Sequence, residues 1–219
     1  MPENFRPLPR SVWLGSSLAF GLIGLAVFVS LLQNARLQKT PLPVIGPIAD
    51  FTLTNQDEKI TTLADFTNHV WLADIIFTSC AGPCPRMTAQ MKSLQEKIPA
   101  ASRARFVTVT TIPEIDTPAL LKKYGIHYGA DFSRWIFLTG AKTEISKLAS
   151  GSLKLGYQPV KPEEQQNPAD LLIHSTCFVI VDKHAQLRGI FETGGDGVDW
   201  TNAVLPKIIS TVRQLESEP

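Results

Sequence analysis

Phe77-Thr78-Ser79-Cys80-Ala81-Gly82-Pro83-Cys84-Pro85-Arg86-Met87 holds two of the three cysteines of the chain, at i and i+4. An apolar run over residues 70–77 leads into it, and a polar–apolar periodic stretch over 87–98 leads out. That is the outline of a buried strand, a tight Gly-Pro turn and a helix. Two thiols are thereby predicted at the mouth of a helix, where backbone N–H groups and the positive dipole end favour thiolate over thiol. Thiolates do two main things, redox exchange and soft-metal binding.

The rest of the chain narrows the choice of class. Its 219 residues carry a net charge of +1, with no basic excess to attract nucleic acid and no block of like charge. Three cysteines are too few for a disulfide scaffold, so the Cys80/Cys84 dithiol reads as chemistry. Residues 1–10 form a polar arm carrying Arg6 and Arg10, and residues 11–33 have no charge. About twenty such residues span the roughly 30 Å hydrocarbon core, so 11–33 is predicted to be a single transmembrane helix. A cleaved signal peptide is the rival; its apolar region is usually about 7–15 residues long and ends in a small-x-small site, which is not evident here. The two arginines keep the arm cytoplasmic and export the domain. Absence of an Arg- and Ser-rich transit peptide favours a bacterial inner membrane and a domain facing the periplasm. Residues 34–47 read as a tether, and 48–219 as the domain.

Within the domain, strands are expected at 51–54, 70–77, 105–111, 135–138, 175–181 and 187–191, the last two flanking the turn Asp182-Lys183-His184-Ala185. Helices are expected over 84–98, from Asp116-Thr117-Pro118 to Tyr124 with Asp116 or Thr117 as cap, over 143–149, and over 198–215 with Pro206 interrupting. Residues 150–170 show no pattern, and a stretch of that length is often functional. Helices alternating with strands imply an α/β fold. A dithiol where the first core strand meets its helix suggests a thioredoxin-like central mixed sheet flanked by helices.

A disulfide between Cys80 and Cys84 serving only to brace the loop would remove little chain entropy, because the loop it closes is short. The functional readings are a redox dithiol or a metal-binding pair. Three intervening residues, against two in the thioredoxin motif, leave room for an ion between the sulfurs. His174 stands at the entrance to a late core strand, an edge that this fold places beside the dithiol loop. A lone histidine there is more often a hydrogen-bonded loop residue; beside two thiolates it becomes a candidate ligand. Two thiolates and an imidazole suit Cu(I) and also bind Cu(II), whereas zinc wants a fourth ligand or a water. Cys177, three residues further on, faces the other side of a strand and reads as a small apolar filler. Met87 reads as core, and His69, His127 and His184 as surface. Asp74, inside an apolar strand, is either a buried carboxylate of raised pKa near the thiols or a solvated edge position; the latter is expected.

Phe77-Thr78-Ser79-Cys80-x-x-x-Cys84-Pro85, the later His174-Ser175-Thr176, Arg134-Trp135-Ile136-Phe137-Leu138-Thr139-Gly140 and a closing Val-Asp hairpin resemble the Sco/SenC proteins. These are membrane-anchored, thioredoxin-like copper proteins of the bacterial envelope and the mitochondrial inner membrane. The resemblance covers roughly residues 45–215 and includes the N-terminal anchor. It implies that Cys80, Cys84 and His174 bind copper in a metallochaperone for the binuclear copper site of a cytochrome oxidase. The partners implied are the copper-bearing subunit of that oxidase and a copper donor protein. Departures exist. Where the family often reads Val-Asp-Pro-Glu-Arg-Asp-Thr-Pro, this chain has Thr111-Ile112-Pro113-Glu114-Ile115-Asp116-Thr117-Pro118. Ile112 replaces the first aspartate, Asp116 matches the second, and the hairpin turn lacks its usual glycine. The alternative is a membrane-anchored thiol-disulfide reductase that keeps a partner's copper-ligand cysteines reduced, which needs Cys80 and Cys84 but not His174. A peroxidase is disfavoured, because Thr78-Ser79-Cys80 lacks the threonine spacing of a peroxidatic site.

Overall fold

The computed structural model describes residues 21, 23–30, 41–159, 172–195 and 197–218, with the side chains of 157–159 and 172–174 left aside. Two compact units divide the chain, Met1–Pro41 and Leu42–Pro219. In the first, residues 21 and 23–30 are helical and expose Ile23, Leu25, Val27, Phe28 and Val29. Among the described residues no helix is long and apolar enough to cross a membrane. The remainder of the predicted 11–33 span, and the arm before it, lie outside the described residues.

The second unit is built on an eight-stranded mixed sheet in the order β1-β10-β9-β4-β5-β6-β2-β3. The strands are β1 Gly46–Pro47, β2 Thr52–Asn55, β3 Ile60–Thr62, β4 Trp71–Ile76, β5 Arg105–Thr110, β6 Trp135–Thr139, β9 Cys177–Val181 and β10 Gln186–Glu192. Strands β7 (Tyr157–Pro159) and β8 (Leu172–His174) form a separate antiparallel ribbon. β4, β5 and β6 run parallel, while β9 is antiparallel to β4. All six residues of β4 are buried, as a central strand covered on both faces requires.

Each face of the sheet has its own core. Trp71, Ala73 and Ile75 face one side, with Val107, Val109, Val179 and Val181. The segment from helix α3 (Lys142–Ser146) into a π-helical turn, Lys147–Ser152, covers that side with Ile145, Leu148 and Ala149. Leu72, Phe106, Trp135, Phe137, Phe178 and Ile180 face the other. Helices α1 (Cys84–Lys97), α2 (Pro118–His127) and α4 (Leu205–Ser217) cover them with Met87, Met91, Leu94, Leu121, Ile208 and Val212. Met87 is thus core, as its helical spacing indicates. Pro206 sits in the first turn of α4, after a π-helical turn Trp200–Val204, so it restarts the helix.

Several boundaries differ from expectation, and the stretch 150–170, expected to be without pattern, holds the end of the π-helical turn and strand β7. The predicted tether to residue 47 ends earlier, because β1 already pairs with β10 and the Ile45 N–H donates to Leu187 O at 2.8 Å. The predicted helix over 143–149 widens into the π turn, which drives Leu148 and Ala149 into the core. The hairpin turn does without glycine by holding Ala185 at φ 56°.

Candidate metal centre

β4 delivers the chain to Phe77, and the Cys80 N–H turns back onto Phe77 O at 3.2 Å. α1 starts at Cys84, with Pro83 as its N-cap and Pro85 in its first turn. No disulfide joins the two cysteines; Cys84 is fully buried and Cys80 half-buried. They hydrogen-bond to each other, and Phe77, Ile112 and Tyr124 pack around them. That hydrogen bond, followed by burial, holds the Cys84 thiol well above its usual range. The expected thiolate at a helix N-terminus is therefore corrected for Cys84. Pro83 and Pro85 remove two of the N–H donors that such a terminus would offer a sulfur, and burial works against charge.

Hydroxyl groups lock the first turn of α1. Thr88 Oγ1 donates to Cys84 O at 2.9 Å and stands 2.8 Å from Tyr124 Oη. Since the one Thr88 proton goes to the carbonyl, the phenol donates. Burial is the main cause that pushes the Tyr124 hydroxyl up, so it keeps its proton.

Asp74 is buried, which corrects the expected solvated edge position. β4 lies in the middle of the sheet, and Asp74 Oδ1 accepts from Thr108 Oγ1 at 2.7 Å, which in turn accepts from Trp135 Nε1 at 2.9 Å. Its charge adds a small upward push on Cys84 and Tyr124.

Because β9 runs antiparallel to β4, its entrance lies at the end of the sheet where the dithiol loop begins. His174 ends β8 opposite Tyr157, just before that entrance, and the Ser175 N–H closes the ribbon on Gly156 O at 2.9 Å. The imidazole lies outside the described side chains. Among the described residues no three His, Cys, Asp or Glu side chains gather as a metal site, so the structure brings together Cys80 and Cys84 of the predicted set.

Cys177 packs at the edge of the first core, as a small apolar residue would, and makes a polar contact besides. It is half-buried, and its thiol donates to Glu192 Oε2 at 3.3 Å across the β9–β10 pair. Burial and that carboxylate push the thiol up to about 12. Glu192 also accepts from the Thr176 hydroxyl and from the Gly194 N–H at 3.2 Å. The first turns of α1 dock on this corner: Gln90 Nε2 donates to Thr193 O at 3.1 Å, and a Cβ on Gly194 would clash with Arg86 Nη2. Glycine there lets the guanidinium lie over the strand end. Sequence reading missed Tyr124, Glu192, Arg86 and Gly194. Apart from Arg86, next to the motif, no local signal marks them.

Comparison with known proteins places this geometry. A family model described as SCO1/SenC matches residues 45–207, from β1 into α4. The chain belongs to the SCO1/SenC family. An SCO1 protein homolog of Bacillus subtilis (strain 168) is 39 % identical over 141 residues, which are 64 % of this chain and 70 % of that protein. A Stutzerimonas stutzeri protein named for copper binding is 32 % identical over 139 residues, 63 % of this chain and 64 % of that protein. Among solved structures, BsSco, described as a Sco-family cytochrome c oxidase assembly protein with a disulfide switch, is 31 % identical with a TM-score of 0.67. The match covers 82 % of this chain and all of that one. The thioredoxin-like architecture is the one this SCO1/SenC chain shares with that neighbour, a mixed sheet flanked by helices.

Proposed function

We propose that this chain is a copper metallochaperone for the binuclear copper site of a cytochrome oxidase, carrying one copper ion as cargo on Cys80, Cys84 and His174. The observation that carries this reading is the contact between two cysteine thiols, not joined by a disulfide, at the end of a core strand. Soft sulfur donors select soft ions, Cu(I) first, and the donor chemistry present therefore fits copper. A relative named for copper binding and another described as an oxidase assembly protein support the same reading. The segment matched by the family model contains all three proposed ligands. Binding displaces the thiol protons, so Cys84 gives up a proton it holds tightly. A membrane anchor over residues 11–33 would keep the domain on the periplasmic side, near the copper-bearing subunit and a copper donor protein.

The asymmetry of the two thiols favours a second reading, a thiol-disulfide reductase. Half-exposed Cys80 attacks a partner disulfide, and buried Cys84 then resolves the mixed disulfide. The Cys80–Cys84 dithiol loses two electrons and two protons, and the partner disulfide gains them as two thiols. An anaerobic Cu(I) titration of the reduced full-length chain, beside His174→Ala, separates the readings. One equivalent bound tightly, and greatly weakened in the variant, is the expected outcome. Wild-type protein that binds no copper, or binding indifferent to His174, overturns the three-ligand chaperone.

A further inference from the structure

Asp116 was expected as a helix cap or as the counterpart of a family aspartate. Thr117 caps α2 instead, accepting from the Leu120 N–H at 3.3 Å. The Asp116 carboxylate turns inward, only 1 % exposed. It accepts from the Thr78 N–H at 3.1 Å, the Thr78 hydroxyl at 2.5 Å and the Thr110 hydroxyl at 2.5 Å. Thr110 Oγ1 accepts in turn from the Ile112 N–H at 3.0 Å, and Ile112 O accepts from the Asp116 N–H at 3.0 Å. The segment after β5 is thus wound around its own carboxylate. Ile112, held in this winding, packs against the cluster of Ile76, Phe77 and Cys84, against which Cys80 also packs.

We infer that Asp116 is the positioning residue of the dithiol: by latching Thr78 and Thr110 it sets how closely Cys80 stands to Cys84. The inference rests on the reading of Cys80 and Cys84 as the working pair. Ser79, Ala81 and Gly82 are exposed, so the loop is fastened from within, two residues before Cys80. The same carboxylate holds the apolar wall on which the thiols lean. Three donors converging on one carboxylate fix the dithiol loop and the segment after β5 against each other. Sulfurs already held in contact lose less chain entropy when a disulfide or a chelated ion joins them. Releasing the latch therefore weakens both products together.

The test is the dithiol–disulfide equilibrium of the full-length chain in glutathione redox buffers. In it the two cysteine thiols become a disulfide, and one glutathione disulfide takes their two electrons and two protons to become two glutathione thiols. Asp116→Asn and Thr78→Val are each expected to lower the equilibrium constant for oxidation about tenfold. Thr78→Ser, which keeps the hydroxyl, is expected to restore the wild-type value. Unchanged constants in Asp116→Asn and Thr78→Val, whatever their melting temperatures, make the latch merely structural and overturn the inference. So does a Thr78→Ser protein that behaves like Thr78→Val. If Asp116→Asn does not fold, the Thr78 variants decide alone. No copper enters this measurement, so a failure of copper binding and a failure of the latch are read separately.

Discussion

The two ends of the central sheet hold buried carboxylates in opposite ways. At the dithiol end Asp116 accepts from two hydroxyls and one amide, and among the described residues it makes no ion pair. At the hairpin end Asp182 meets the Arg188 guanidinium at 2.6 Å, both side chains nearly buried. Arg188 also reaches Glu218 at 3.0 Å and the carbonyls of Leu42 at 2.7 Å and Pro43 at 3.3 Å. One guanidinium thereby ties the start of the domain, the hairpin and the C-terminus together. A buried ion pair is costly to break, because removing one partner strands the other charge. A carboxylate fastened by neutral donors holds the groups around it in place without an ion pair of its own. The hairpin end serves permanence, and the dithiol end serves placement.

The sharpest contrast lies in proton dependence. Copper binding to two protonated thiols releases two protons, and Cys84 holds its proton above the ordinary thiol value of 9.0. Apparent copper affinity should therefore fall as pH drops, by about a hundredfold per pH unit once both thiols are protonated. Competition titrations at several pH values check the slope; a slope near zero would remove the thiols from the ligand set.

Next in size is the hairpin end. Arg188→Met strands Asp182 and Glu218 and should cost about 3–5 kcal/mol in denaturant unfolding. Under folding conditions its copper stoichiometry and glutathione equilibrium should match wild type. A change in either would break the division between the two ends.

The smallest effect separates two neighbours at the dithiol end. Thr117→Ala removes the cap of α2 and should cost about 1 kcal/mol in thermal or denaturant unfolding. Its glutathione equilibrium should stay at the wild-type value. If it shifts as far as that of Asp116→Asn, the effect belongs to α2 as a whole and not to the carboxylate.

Much of the fold was legible because its signals are local. The continuous apolar run into Cys80, the periodic helix out of Cys84 and the paired runs around Asp182 each declare their element within about ten residues. The two thiols, placed by their spacing at one turn, lie within hydrogen-bonding distance of each other. Less legible was the state of those thiols. A helix N-terminus argues for thiolate, but Pro83 and Pro85 withhold donors, and the hydrogen bond with Cys80, followed by burial, holds the proton on Cys84. Asp74 was misread because one polar residue in an apolar run does not reveal that Thr108 and Trp135, from two other strands, supply its partners. The partner of Cys177 was hidden for the same reason: the residue packs on the core as expected, but Glu192 stands fifteen residues away, across a hairpin.

By itself, the amino-acid sequence determined the main core strands and helices, which family the chain belongs to, and that Cys80 and Cys84 stand together at a strand-to-helix turn. Periodicity and spacing act over a few residues, and one dimension is enough to carry them. Only the tertiary structure decided that Cys84 is buried and keeps its proton, that Asp116 turns from the helix cap to the dithiol loop, and that Arg188 closes the far end of the sheet. Each of those depends on burial and on partners brought from distant positions, and both exist only once the sheet has formed.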